Sequence, residues 1–195
     1  MLYSVMPDLI LHPEDSKHWI PAFAGMTLYA IIYVVVYGNR KIIRPVKGTS
    51  MTEFEELSPN FKNALLTKVK KNTPFWSLID MELVDVKKGW AKVRLPYNQK
   101  LDHAYGSAHG AAVFAPADSA VAMALQGLVE KDEIFTTVEM KINYIRPFFK
   151  GEIIAEAEIT HKGGNLAIGD VTVKDSKGRL VAKALATYMI MKRER

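Results

Sequence analysis

A lone carboxylate, Asp118, stands in the otherwise uncharged run from Ala111 to Leu125, Ala-Ala-Val-Phe-Ala-Pro-Ala-Asp-Ser-Ala-Val-Ala-Met-Ala-Leu. A helix of that composition belongs in a core. Burying an unpaired carboxylate there is costly, so the acid must find hydrogen-bond donors or be kept for chemistry. Immediately upstream, His109-Gly110 can leave backbone N–H groups open at a helix start. A potential base or nucleophile and an anion-stabilising helix start on one element together suit acyl-transfer chemistry.

The elements that would carry these groups follow from periodicity. Phe61, Leu65, Leu66 and Val69 recur at near-helical spacing after Ser58 and Pro59, which predicts an amphipathic helix over 59–71 with Ser58 as cap. Residues 78–86 and 90–95 read as strands joined by a Lys87-Lys88-Gly89 turn. The apolar helix is expected over 110–129. Four further strands are expected over 134–145, 152–161, 166–174 and 180–191, separated by turns at 147–151, 163–165 and 175–178. Alternation is clear in Met140, Ile142 and Tyr144 against Lys141 and Asn143. Two strands, one long buried helix and four strands make an α+β domain, its antiparallel sheet wrapped on that helix. Pro116 falls inside the helix and removes the bond to Ala112, which implies a kink directly before Asp118.

Composition bounds the rest. The chain has 195 residues, 49% of them hydrophobic, enough for a single domain with a sizeable core. The net charge of +5 is spread along the sequence, and Lys-Arg-Glu-Arg at the C-terminus is its only dense basic cluster, so a nucleic-acid partner is not expected. The absence of cysteine excludes disulfides and thiolate nucleophiles and suits a cytoplasmic protein. His12, His18 and His161 lack partners at ligand spacing, so no metal site is expected.

The first fifty residues read differently. Residues 19–38 carry no charge and precede Arg40, Lys41, Arg44 and Lys47, the pattern of a marginal membrane anchor. Pro21 and Gly25 shorten its continuous helical part, and no signal-peptide cleavage site is evident. His-Trp-Ile-Pro-Ala-Phe-Ala-Gly-Met-Thr also resembles the translation product of a bacterial interspersed DNA repeat, and an ordinary enzyme-like start follows at Met51. Residues 1–50 are therefore expected to be a misassigned start or an extension in preference to an anchor, with the functional domain over 51–195.

From about Pro59 to Lys192 the order of elements and the motifs resemble the hotdog-fold thioesterases of the phenylacetate-pathway type, including the related domain of unknown function. The resemblance rests on Gly106-Ser107-Ala108-His109-Gly110-Ala111, Ala117-Asp118-Ser119-Ala120, Thr136-Thr137-Val138-Glu139-Met140 and Tyr144-Ile145-Arg146-Pro147. It implies that Asp118 is general base or nucleophile, that Gly110 supplies an oxyanion N–H, and that Thr136 places water, with Thr137 as its nearby substitute. The substrate implied is an acyl-CoA in preference to an acyl carrier protein thioester, and no cofactor is required. A homodimer or a dimer of dimers is expected. Eight residues separate Gly110 from Asp118, about 12 Å along one helix, too far to address one carbonyl, so a two-fold dimer would bring Gly110 of one subunit towards Asp118 of the other.

The chain departs from the family pattern in several places. Many relatives carry asparagine seven positions before the oxyanion glycine, where this chain has Asp102 and His103. His103 could donate to a thioester oxygen or water, or be an ordinary loop histidine. Ala111 replaces a frequent second glycine. His109 could contact substrate or fix the helix start, and Asn72 could approach the pocket or simply end a helix. Thr136 and Thr137 are also plain β-formers. Lys162 with Gly163-Gly164 could meet a CoA phosphate, though a solvated turn is the default. A non-catalytic acyl-CoA-binding domain is the main rival; a hotdog dehydratase would need a histidine and acid pairing that is lacking here.

Overall fold

The computed structural model describes residues 33–37, 40–44 and 53–193. The chain divides into two units, Met1–Glu53 and Phe54–Arg195. In the first, β1 (Tyr33–Tyr37) and β2 (Arg40–Arg44) pair antiparallel with Val35 opposite Ile42. The end of the expected anchor over 19–38 is therefore strand, in keeping with its Tyr and Val residues. The remainder of that stretch, and the expected start at Met51, lie outside the described residues. Among the described residues no helix is long and apolar enough to cross a membrane.

The second unit opens with α1 (Pro59–Asn72) and α2 (Pro74–Ile79), followed by β3 (Glu82–Lys87) and β4 (Trp90–Pro96). A short 3-10 turn, Gln99–Leu101, leads to α3 (Gly110–Gln126). Four long strands complete it: β5 (Glu133–Tyr144), β6 (Glu152–Lys162), β7 (Leu166–Asp175) and β8 (Leu180–Lys192). Strands β3 to β8 form one antiparallel sheet in the order β3-β4-β6-β7-β8-β5. This is the α+β hotdog arrangement, a sheet laid against one long helix.

Three local expectations are corrected. The strand expected from residue 78 starts only at Glu82, because Pro74 opens α2 at its first turn and Asp80, at φ 60, ends it in the left-handed conformation. Ser58 occupies the cap position of α1 but its side chain makes no capping bond. The apolar helix stops at Gln126 rather than 129. At Gly127 a Cβ would lie 2.7 Å from the Lys87 carbonyl oxygen, so the chain turns where it meets the β3–β4 hairpin. Within the helix, Pro116 does not interrupt the helical run.

The buried face of α3 comprises Ala112, Val113, Pro116, Ala117, Ala120, Val121, Ala124 and Leu125, a three-to-four residue recurrence that lays one stripe on the sheet. Val93, Leu95, Ile153, Ala155, Val171 and Val173 meet it from alternate strand positions. Full burial of each Val, Leu or Ile contributes about 1.5–3 kcal/mol relative to exposure. Helix and sheet approach closely at Gly169 of β7, where a Cβ would sit 2.6 Å from Val121 Cγ1. The edge strand β5 contains no fully buried residue, although Phe135, Met140 and Ile142 pack against the core.

Candidate active site

The middle of α3 carries Asp118 to a cavity of about 320 Å³ that α1, α2, β5 and β8 complete through Val69, Trp76, Phe135, Thr136, Thr137 and Tyr188. Asp118 is half-buried. The donors that its apolar setting demands are both hydroxyls: Thr137 Oγ1 donates to Oδ1 at 3.0 Å, and the Tyr188 phenol donates to the same oxygen at 2.5 Å. Among the described residues the carboxylate makes no ion pair. It is thus fixed in position without being neutralised by a cation, a condition a base or nucleophile needs. Burial first, and then the Asp118 charge and hydrogen bond, push the Tyr188 phenol far above its ordinary range, so it stays protonated and donates.

The start of α3 lines a second cavity of about 320 Å³, with His103, Ser107, Gly110, Tyr144 and Arg146 on its walls. His109 caps the helix: its Nδ1 accepts the Ala111 N–H at 3.0 Å and its carbonyl accepts the Ala112 N–H at 2.8 Å. A neutral His109 must therefore carry its proton on Nε2. Between these bonds the Gly110 N–H has no partner among the described residues. A Cβ at Gly110 would come 3.3 Å from the Tyr144 ring, so glycine lets the aromatic side chain close against the helix start. In the preceding loop, His103 Nδ1 accepts the Tyr105 N–H at 2.9 Å, which leaves Nε2–H to donate to Ser107 Oγ at 2.9 Å.

Asp118, Thr136 and Thr137 are thus brought to one cavity, and Gly110 and His103 to another. Thr137, not Thr136, bonds the carboxylate; Thr136 is exposed and lines the same space. A bulge between Thr137 and Glu139 breaks the simple alternation of β5 just past this pair. His109 is exposed, and its ring serves the cap. Asn72 is exposed at the end of α1 and absent from the lining, whereas its neighbours Val69 and Thr73 belong to it. Lys162 lies 3.8 Å from Glu133 at the end of the sheet. Among the described residues no group of three His, Asp or Glu could hold a metal ion.

Sequence reasoning missed Tyr188 and Tyr144. The signal for Tyr188 was its register: Ala182, Ala184, Ala186, Tyr188 and Ile190 all point inward along β8, and a phenol among aliphatic neighbours needs a polar partner. Trp76 was left between the expected helix over 59–71 and the strand expected from residue 78, so α2 was not read as an element.

Comparison with known proteins agrees with this architecture. The thioesterase superfamily matches residues 105–182. The 1,4-dihydroxy-2-naphthoyl-CoA hydrolase of Listeria monocytogenes is 26% identical over 117 residues, covering 60% of this chain and 95% of its own. The acyl-coenzyme A thioesterase PaaI of Escherichia coli is 26% identical over 107 residues, covering 53% and 73%. Among solved structures, a conserved protein of Pseudomonas aeruginosa superposes with a TM-score of 0.60 at 29% identity, over 64% of this chain and 99% of that one.

Proposed function

We propose that this chain, which matches the thioesterase superfamily over residues 105–182 and resembles PaaI-type hotdog proteins, is a thioester hydrolase whose substrate is an acyl-CoA. Hydrolysis then yields the free acid and CoA, with Asp118 as base or nucleophile and the Gly110 N–H as oxyanion donor. In the base form of the mechanism the carboxylate takes a proton from water as the water oxygen bonds to the thioester carbonyl carbon. Negative charge that gathers on the carbonyl oxygen is met by the open N–H at the helix start. The C–S bond then breaks, and the departing thiolate takes up the proton. In the nucleophile form Asp118 attacks the carbonyl itself, the C–S bond breaks to expel the CoA thiolate and leave an anhydride, and water then hydrolyses that anhydride, releasing the acid, restoring the carboxylate and giving its proton to the thiolate. Thr137 orients the carboxylate, and Thr136, His103 and His109 are candidates for contacts to water and substrate. No cofactor or metal enters either form.

The observation that carries this reading is the split between the two cavities: Asp118 lines one and Gly110 the other. One chain therefore offers two half-sites, and a two-fold partner would complete each. The edge strand β5 supports such a partner. It is 12 residues long, its outer side has no pairing strand among the described residues, and it exposes Ile134, Val138 and Tyr144. We read the working form as a homodimer, or a dimer of dimers, acting in the cytoplasm.

Turnover of a panel of CoA esters, read as released thiol, tests the activity. Tight binding of esters without turnover would make the chain a binding domain instead. Mixing Gly110→Pro with Asp118→Asn tests the composite site. Each variant alone is expected to be nearly inactive, whereas random mixed dimers regain one intact site, about a quarter of wild-type activity per subunit at equal mixing. No recovery from verified mixed dimers would mean that each subunit works alone.

A further inference from the structure

Asp118 presents two unequal oxygens. Oδ1 accepts both hydroxyls, from Thr137 at 3.0 Å and from Tyr188 at 2.5 Å. Oδ2 makes no hydrogen bond among the described residues and is not a buried unsatisfied atom, so it remains open to the cavity. The Tyr188 oxygen also lies 2.9 Å from the Asp118 backbone carbonyl. A phenol has one proton, and between a carbonyl and a closer, charged oxygen it goes to the charge. Tyr188 itself is 2% exposed and is reached across 70 residues of chain, so its ring is held by the core rather than by the site it serves.

We infer that Tyr188 is the positioning residue of the reaction: its phenol fixes Asp118 through Oδ1 and thereby directs Oδ2 alone at the water or thioester. This rests on Asp118 being the base or nucleophile. The assignment has an electrostatic side as well. From α1, α2, α3, β5 and β8 alike, the only ionisable side chains lining the cavity are Asp118 and Tyr188. No cation lines the cavity, so the two hydroxyls are what hold the carboxylate there. Because burial and the Asp118 charge hold the phenol protonated, Tyr188 donates throughout the working pH range.

The experiment is a pair of substitutions at Tyr188, read through the split between kcat and KM. Tyr188→Phe keeps the ring and removes the donor. We expect kcat to fall about tenfold or more, since hydrogen bonds to charged groups are the stronger kind. KM should stay within about twofold, because the apolar lining is unchanged. A ring-fluorinated tyrosine at 188, a better donor of nearly the same shape, should draw more charge from the carboxylate and lower kcat by about twofold or more, with KM held. In an Asp118→Asn background neither change should alter the residual rate further. A wild-type kcat for Tyr188→Phe would overturn the assignment. So would a loss of rate that persists in the Asp118→Asn background, or one accompanied by an equal rise in KM and a lowered melting temperature, which would mark a structural residue. If Tyr188→Phe does not fold, the fluorinated protein decides the matter: wild-type kcat and KM would overturn the assignment. Full turnover by Asp118→Asn would instead overturn the role of Asp118 itself, an outcome distinct from a Tyr188 failure.

Discussion

At the start of α3 the Gly110 N–H is held open by side-chain hydrogen bonds between near neighbours, His109 with Ala111 and His103 with Ser107, two and four residues apart. In the middle of the same helix, Asp118 is gripped by Thr137 and Tyr188, which lie 19 and 70 residues away. The side-chain bonds of the first region are local and at the surface, with His109 exposed; the second region is a tertiary construction reaching into the core, with Tyr188 almost wholly buried. An N–H donor needs only a helix start and the absence of a competing acceptor. A carboxylate in an apolar helix needs donors imported from other elements, because the helix supplies none. The two halves should therefore fail differently when disturbed.

The largest effect is expected at the tertiary half. Asp118→Asn preserves shape and the ability to accept from Tyr188 and Thr137 but removes the carboxylate oxygen proposed as base or nucleophile. The hydrolysis rate should fall by roughly 10²-fold to 10⁴-fold. Binding of a CoA ester should persist, measured by calorimetry against the wild type. Full-rate turnover would take the carboxylate out of the mechanism and leave the local half as the only chemical feature of the helix.

A smaller loss is expected from the local half, and two substitutions isolate it. His109 at φ −58 and ψ 145 already has the conformation that a residue before proline adopts, and proline is accepted at the first helical position. Gly110→Pro should therefore delete the N–H with little change of the backbone. Gly110→Ala keeps the N–H while adding a Cβ, which in either variant meets the Tyr144 ring at about the 3.3 Å distance fixed by the backbone. The ratio of their rates reports the N–H itself, and removal of one oxyanion donor typically lowers kcat by about 10²-fold to 10³-fold. Equal rates for the two variants would reduce Gly110 to a spacer beside Tyr144.

The same contrast explains what could be read in the sequence. Asp118 was visible as a charge in an apolar run and Gly110 as a residue at a helix start, because both signals are local. The four long strands from Glu133 to Lys192 were likewise legible from alternation and turn residues. Tyr188 was not, since its partner lies on another element and nothing within Ala186-Thr187-Tyr188 states which inward residue meets the carboxylate. The choice between Thr136 and Thr137 was hidden by the β5 bulge, which only the pairing with β8 discloses. Trp76 fell between the expected helix over 59–71 and the strand expected from residue 78, because a six-residue helix is too short to show a helical period, and Asp80 ends α2 with no glycine to mark the turn.

A last and smallest effect tests whether the tertiary half depends on how the helix is seated. Gly169 lies on β7 against Val121, three residues past Asp118, and its missing side chain leaves room for that valine. Gly169→Ala would place Cβ 2.6 Å from Val121 Cγ1 and 3.4 Å from Ile159 Cδ1. The first distance is too short, and the valine is pinned in the core at 0% exposure, so α3 must lift or Val121 must leave its rotamer. Overpacking of this kind costs about 1–3 kcal/mol, readable as a lower denaturation midpoint. Gly164 is the control, because no atom lies within 4 Å of a Cβ built there and its backbone is not left-handed. Gly164→Ala should leave the midpoint nearly unchanged. If lifting α3 moves Asp118 away from Tyr188 and Thr137, the folded Gly169→Ala protein should also lose kcat with KM held, as expected for Tyr188→Phe. A destabilised protein with wild-type kcat and KM would show that the two hydroxyls follow the carboxylate as the helix moves, and that the Asp118 half tolerates displacement.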